Sequence, residues 1–477
     1  MTGILEGMTP VNGSDPARLQ ALAERHLMLH FTDMAAIAED GLTIIERGEG
    51  IHVFDVEGNR YIDGLSGLYC VNLGHSHGDR IGAAAERQMR RLPFTTNWTV
   101  AHPPGIELAT RLAELAPPGL ERAFFTSGGA ESVEAAWKLA RQWHQANGEP
   151  QRRKAIARRD AYHGVTLGAL SFTGLEECRT PFEPLAIETI HVANTSAYRH
   201  PEGDDEAAFC AALLHELETA IKRAGPDTVA MVIAEPVQNA GGSIVPPAGY
   251  WQGLRELCDR YGILLCSDEV ICAFGRIGTW FGAERLGYVP DLITFAKGLT
   301  GAHFPMGGVL ISDRVAEPFL DGRSEYLHGI TFGGHPVGAA TALAAIEVME
   351  EEDVLANVRA NEPLFRQLLD GLREIPIVGD VRGLGHFWAI ELVRDQATKQ
   401  ALEGEAAHWL LKDVLSEELW GRGLICRLDD RAEPIIQLAP PLVCDAAAVE
   451  EIVATVRAAL EVAAERMSER PELSATA

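Results

Sequence analysis

Short apolar runs alternate with stretches of helical period along most of the chain. Residues 52–63 (HVFDVEGNRYID) alternate apolar and polar positions around Glu57-Gly58-Asn59, which predicts a hairpin. Residues 79–92 carry a helical period closed by Pro93. Strands are then expected at 123–126, 154–158, 187–192, 229–234, 262–267, 292–295 and 309–311, with helices at 131–147, 205–223 and 249–261. In the second of these helices Leu213, Leu214, Leu217 and Ile221 share one face. The strands are apolar throughout rather than alternating, the pattern of a parallel α/β sheet covered on both faces. Ligands of such sheets sit beyond the carboxyl ends of the strands. The loops after Thr126, Arg158, Ala234, Ser267 and Phe295 are therefore expected around one site. Past His335-Pro336 the pattern changes: 337–374 reads as mostly helical, 378–392 as strand, 405–421 as helix, 435–438 as strand and 446–467 as a long helix. That tail predicts a smaller α+β domain joined by the N-terminal segment. The first residues, to about position 20, are polar and punctuated by Gly and Pro, and are expected to be mobile or draped on a partner.

Composition narrows the class. Of 477 residues, 47% are hydrophobic and 23% charged, which excludes global disorder. The balance of 41 basic against 68 acidic residues, −27, argues against nucleic acid or an anionic membrane as the main partner. A small anionic ligand stays open, because one pocket can be positive on an acidic protein. Eight scattered cysteines without a C-x-x-C pair read as a reducing compartment. Met1 to Glu6 lacks a basic, then apolar, leader pattern, and no run approaches the ~18 apolar residues of a membrane span. The expectation is a soluble, cytoplasmic protein.

Five segments carry candidate chemistry. Phe125 to Glu131 (FTSGGAE) turns from a strand through Gly128 and Gly129 into a helix, where exposed amides suit a phosphate; an ordinary strand–helix turn reads the same way. Asp268 and Glu269 follow an apolar strand, and buried acids need a partner: a cationic ring nitrogen, or merely an N-cap or salt bridge. Lys297 ends another apolar strand, where desolvation disfavours its charge and makes it a Schiff-base nucleophile, unless it snorkels to solvent. Tyr162-His163-Gly164 offers an aromatic lid or a core tyrosine. Leu327 to Pro336 (LHGITFGGHP) offers a hydroxyl for phosphate or a hinge.

Taken together and in this order, these segments resemble the class III pyridoxal-phosphate aminotransferases, over about residues 30 to 465. The most specific stretch is LLCSDEVICAFGRIG (264–278) followed by DLITFAKG (291–298), with VIAEPVQNAGG (232–242) and the 328–336 run in support. The resemblance implies an aspartate-aminotransferase-like, fold-type-I α/β protein. It would have a large domain with a mostly parallel sheet at 76–335 and a small α+β domain at 336–477. Residues 1–75 would contribute to the small domain and a dimer interface. Lys297 would hold pyridoxal 5′-phosphate through its amine, and Asp268 would pair with the ring nitrogen. Val270 and Tyr162 would sandwich the ring, with Glu235 near its edge, pairing with a mobile arginine. Ser127, Gly128 and Gly129 would hold the phosphate, joined by Thr331 across an obligate homodimer; a homotetramer is also compatible.

Within that family the chain looks most like pyruvate-dependent ω-transaminases. LSGLYCVN (65–72) matches their pocket segment, with Tyr69 where relatives often have Trp, and Phe94 as a further pocket aromatic. The implied reaction is ping-pong transfer of an amino group from an amine or ω-amino acid to a keto acid. Arg427, or alternatively Arg431, would take the keto-acid carboxylate, unless both form ion pairs with Asp429, Asp430 or Glu433. The competing readings are a class III racemase or aminomutase and a non-catalytic binding protein on the same scaffold. No metal, nucleic acid or membrane is expected.

Overall fold

The computed structural model describes residues 15–470. The expected mobile lead lies largely outside them. From Pro16 the expectation is corrected: Pro16–His26 is a helix, with Pro in its first turn and the Asp15 carboxylate accepting from the Ala17 amide.

A seven-stranded sheet organises the middle of the chain. Its strand order is Arg122–Thr126, Gly307–Ile311, Leu292–Phe295, Leu264–Asp268, Val229–Ala234, Lys154–Arg158 and Thr189–Val192. All run parallel except Gly307–Ile311, which is antiparallel to both neighbours. Val229–Ala234 and Leu264–Asp268 are buried along their whole length, which is why they read as unbroken apolar runs. Gly307 and Gly308 start the reversed strand where a side chain has no room. A Cβ there would lie 2.8 Å from the Phe295 carbonyl oxygen and 2.5 Å from the Phe295 ring, respectively. Helix Gly129–Ala146 packs Val133, Ala136 and Ala140 onto the sheet residues Ala155, Ile233 and Leu264.

Two smaller sheets flank it. Val378–Leu384, Phe387–Asp395, Ile435–Leu438 and Arg427–Asp429 form an antiparallel ladder covered by the terminal helix Ala446–Ser468, which Asp445 caps. The expected hairpin is present as His52–Asp55 and Arg60–Asp63, with Ile45–Glu49 added outside it. Leu424–Ile425 then pairs in parallel with Ile62–Asp63, joining the two ends of the chain in one sheet. The stretch 337–374 resolves into helices Pro336–Glu351 and Val354–Asp370, separated at Asp353, whose φ is +49°.

Helix Pro103–Leu115 escaped the sequence reading. His102 Nδ1 accepts from the Gly105 amide at 3.0 Å, and its Nε2 lies 2.8 Å from the Gly334 carbonyl oxygen, so the imidazole both caps the helix and ties it to the 327–336 connection. Among the described residues no helix is long and apolar enough to cross a membrane.

Candidate active site

The carboxyl ends of the parallel strands converge on one cavity of about 250 Å³. Gly129, Tyr162, Glu235, Asp268, Val270 and Lys297 all line it. Leu68, Ala130, His163, Gly164, Val165, Ile271 and Cys272 complete the lining.

Asp268 ends a fully buried strand, so its carboxylate needs partners that the strand cannot supply. It has three. His163 Nδ1 lies 2.7 Å from Oδ2, the Thr294 hydroxyl donates to Oδ1 at 2.9 Å, and the Val270 amide donates to Oδ1 at 3.2 Å. Among the described residues Nε2 of His163 has no hydrogen-bond partner, although the ring is buried. The neighbouring acid does different work. Glu269 accepts from the Gly282 and Ala283 amides, the latter at 2.9 Å, and so caps the short helix Gly282–Leu286. Burial pushes its carboxyl up to about 7.

Lys297 opens a 3₁₀ turn directly after Phe295-Ala296, with φ at +38°, a backbone conformation that a lysine rarely adopts. Strain of this kind persists only where the surroundings over-determine it. Burial holds its ammonium below the ordinary lysine range, which favours the free amine. Its Nζ lies 5.6 Å from the centre of the Tyr69 ring. Tyr69 is itself buried at φ +63°, within a strained turn that also holds Ser66 and Gly67 at positive φ. Its hydroxyl donates to Gln437 Oε1 at 2.5 Å and accepts from Arg427 Nη1 at 3.4 Å.

At the start of helix Gly129–Ala146 the first amides have no intrahelical acceptor and face the cavity end of the sheet. Ser127 donates its amide to Glu131 at 2.8 Å, which fixes the turn. A Cβ on Gly129 would come within 2.9 Å of Val270 Cγ1, so the backbone there is open only because the residue is glycine. Open helix-start amides, a buried acceptor at Asp268 and a desolvated lysine on one cavity fit a phosphorylated, cationic heterocyclic aldehyde.

Glu235 accepts the Tyr162 amide at 3.2 Å and the Asn239 amide at 2.9 Å. The arginine expected beside it stands instead on Asp429: Arg427 Nη2 lies 2.7 Å from Asp429 Oδ2. Arg431 reaches the same carboxylate, so the ion-pair alternative weighed for both arginines is what this conformation shows. Phe94 packs on Phe332 and His335, at 5.4 and 5.3 Å between ring centres, and does not line the cavity. Thr331 is exposed in the same segment, also off the cavity of its own chain. His163 was legible as part of a motif but not as the partner of Asp268. Its only sequence signal is its place between Tyr162 and Gly164 after a buried strand.

The match to known proteins agrees with this geometry. Residues 34–460 match the family model of class III aminotransferases. A probable aminotransferase of Mycobacterium tuberculosis is 49% identical over 91% of this chain and 93% of its own. The putrescine–pyruvate aminotransferase of Pseudomonas aeruginosa is 37% identical over 93% and 95%. The solved structure of an (S)-enantioselective ω-transaminase from Thermomicrobium roseum superposes with a TM-score of 0.90 at 41% identity, covering 94% of this chain and 98% of that one. The chain belongs to the class III aminotransferases, fold-type-I enzymes whose cofactor is pyridoxal 5′-phosphate. It is an aminotransferase, acting on an amine donor and a keto-acid acceptor.

Proposed function

We propose that this enzyme moves an amino group from an amine or ω-amino acid to pyruvate by a ping-pong route. The observation that carries the reading is the pairing, on one cavity, of desolvated Lys297 with Asp268 locked by His163 and Thr294. Relatives that use putrescine with pyruvate, or are named ω-transaminases, support the choice of substrates. Bound pyridoxal phosphate supplies an electron sink for the bond being broken at the substrate carbon. Asp268 would accept a hydrogen bond from the protonated ring nitrogen and keep that nitrogen cationic. The amides of Gly128 and Gly129, aided by Ser127, would hold the phosphate. Val270 and Tyr162 confine the ring, and Glu235 bounds its edge. Lys297 Nζ would anchor the aldehyde carbon and, once freed by an incoming amine, would serve as the general base and acid that moves the proton of the substrate carbon. Tyr69 orders the wall beside that amine.

The reading extends to assembly. Trp98, Leu327 and Phe332 are exposed around Thr331, and a second copy seated there would bring Thr331, with Phe94 behind it, to the neighbouring site. A homodimer is thus the minimal catalytic unit. The proposed division into 1–75, 76–335 and 336–477 is supported by the three sheets, although the N-terminal one also takes in Leu424–Ile425. A cytoplasmic setting suits the eight free thiols.

The test is a half-reaction. Holoenzyme mixed with an amine and no keto acid should convert its cofactor absorption fully to the aminated form, and pyruvate should restore it. An unchanged spectrum alongside isomerised amine would replace this reading with a racemase or aminomutase.

A further inference from the structure

Two arginines converge on one buried carboxylate beside the site, and they hold it unequally. Arg431 forks onto Asp429, with Nε to Oδ1 at 2.9 Å and Nη2 to Oδ2 at 2.7 Å, and its backbone amide donates to Oδ1 at 3.1 Å. Arg427 makes one short contact, Nη2 to Oδ2 at 2.7 Å, and a long one, Nη1 to the Tyr69 hydroxyl at 3.4 Å. The Asp429 side chain is only 8% exposed. A buried carboxylate left without a cation is strongly destabilising. Here it is not left so when Arg427 departs, because the Arg431 fork and amide remain. The Tyr69 ring that Arg427 touches also faces Lys297 Nζ, so the Arg427 guanidinium stands one aromatic ring away from the reacting amine.

We propose that Asp429 and Arg431 form a holding station for Arg427, which sets how readily that arginine is released to a keto-acid carboxylate. The inference rests on the ω-transaminase reading above and goes beyond it. With Arg427 as the arginine that meets the substrate carboxylate, it assigns Arg431 to Asp429 and makes both Asp429 and Arg431 positioning residues for acceptor specificity. The physical content is a competition. Asp429 is an internal carboxylate competing with the acceptor's, and Arg431 weakens that competition by occupying it. An amine without a carboxylate has no need of Arg427 and stands outside the competition.

The two positions should therefore respond with opposite signs. In the holoenzyme, Arg431→Met leaves Arg427 as the main cation on Asp429 and should raise the KM for pyruvate on the order of ten-fold, the scale of one charge-assisted hydrogen bond. Asp429→Asn removes the competitor and should lower that KM by roughly three-fold, since a neutral amide keeps only an ordinary hydrogen bond. The double variant should follow Asp429→Asn. The single-turnover half-reaction with 1-phenylethylamine, which carries no carboxylate, should move less than about two-fold in all three, because neither change removes an interaction that this amine makes. Singles that shift the pyruvate KM in the same direction, or not at all, overturn the proposal. So does loss of the phenylethylamine half-reaction in the variants, which would make the pair structural. A wild-type enzyme unable to carry out any half-reaction would instead sink the transaminase reading, and this proposal with it.

Discussion

His163, in the loop that follows strand Lys154–Arg158, meets Asp268, the last residue of strand Leu264–Asp268, at 2.7 Å, although the two lie 105 residues apart in the chain. The histidine steers the carboxylate, and Thr294 and the Val270 amide hold its other oxygen. Removing His163 should leave Asp268 held by Thr294 and the Val270 amide but less sharply aimed. His163→Ala should slow the half-reaction about ten-fold, the worth of one charge-assisted bond. Asp268→Asn should slow it by on the order of 10²–10³, the scale of a lost electrostatic stabiliser. Stopped-flow absorbance with a monoamine orders the two; equal losses would mean that His163 does more than position.

Gly129 and Val270 are matched in size. Gly129→Ala pushes a methyl to within 2.9 Å of Val270 Cγ1 and should weaken cofactor binding by roughly 1–3 kcal/mol, the cost of overpacking. Adding Val270→Ala should recover much of the loss. Titration of the apoenzyme with pyridoxal phosphate measures both, and failure of the second change to help would place the damage in the backbone.

Lys297 burdens the protein when its amine carries a proton. Its folded-state pKa is depressed, so between that value and the ordinary one the unfolded chain binds more protons, and stability rises with pH. In the apoenzyme, Lys297→Met should therefore be more heat-stable than wild type at neutral pH, while losing all turnover. The gap should narrow as pH rises toward the ordinary lysine pKa. Calorimetry at several pH values checks this; a constant gap would point to packing alone.

Glu269 acts with the opposite sign. Its carboxyl is raised from 4.5 to about 7, so the folded protein holds the extra proton. Stability from this group is full below pH 4.5 and is lost as pH rises through 7. Glu269→Ala removes the titration along with the cap on Gly282–Leu286. It should flatten the dependence of melting temperature on pH between 4.5 and 7 while lowering the temperature itself.

Much of this was legible from the chain alone, for a physical reason. Asp268 and Lys297 stand out because each puts a charge at the end of an apolar strand, an arrangement that costs free energy without a purpose. The hairpin and the parallel strands follow from burial on one or two faces. What stayed hidden depends on register and partners. Composition cannot tell that Gly307–Ile311 runs backwards, since a doubly buried strand looks alike in either direction. Pro103-Pro104 reads as a break, whereas after a histidine cap it starts a helix. The split between Arg427 and Arg431 is decided by which guanidinium forks onto Asp429, a matter of side-chain geometry four residues apart.

The parallel pair between Ile62–Asp63 and Leu424–Ile425 also bears on how the chain comes to life. During synthesis the hairpin keeps an open edge until the distant Leu424–Ile425 segment has emerged from the ribosome. Until Leu424 arrives, that edge is a template for pairing with other chains. The enzyme is thus expected to assemble its cofactor sheet before it closes its own ends. Yield on refolding should then fall with protein concentration more steeply than stability alone would suggest.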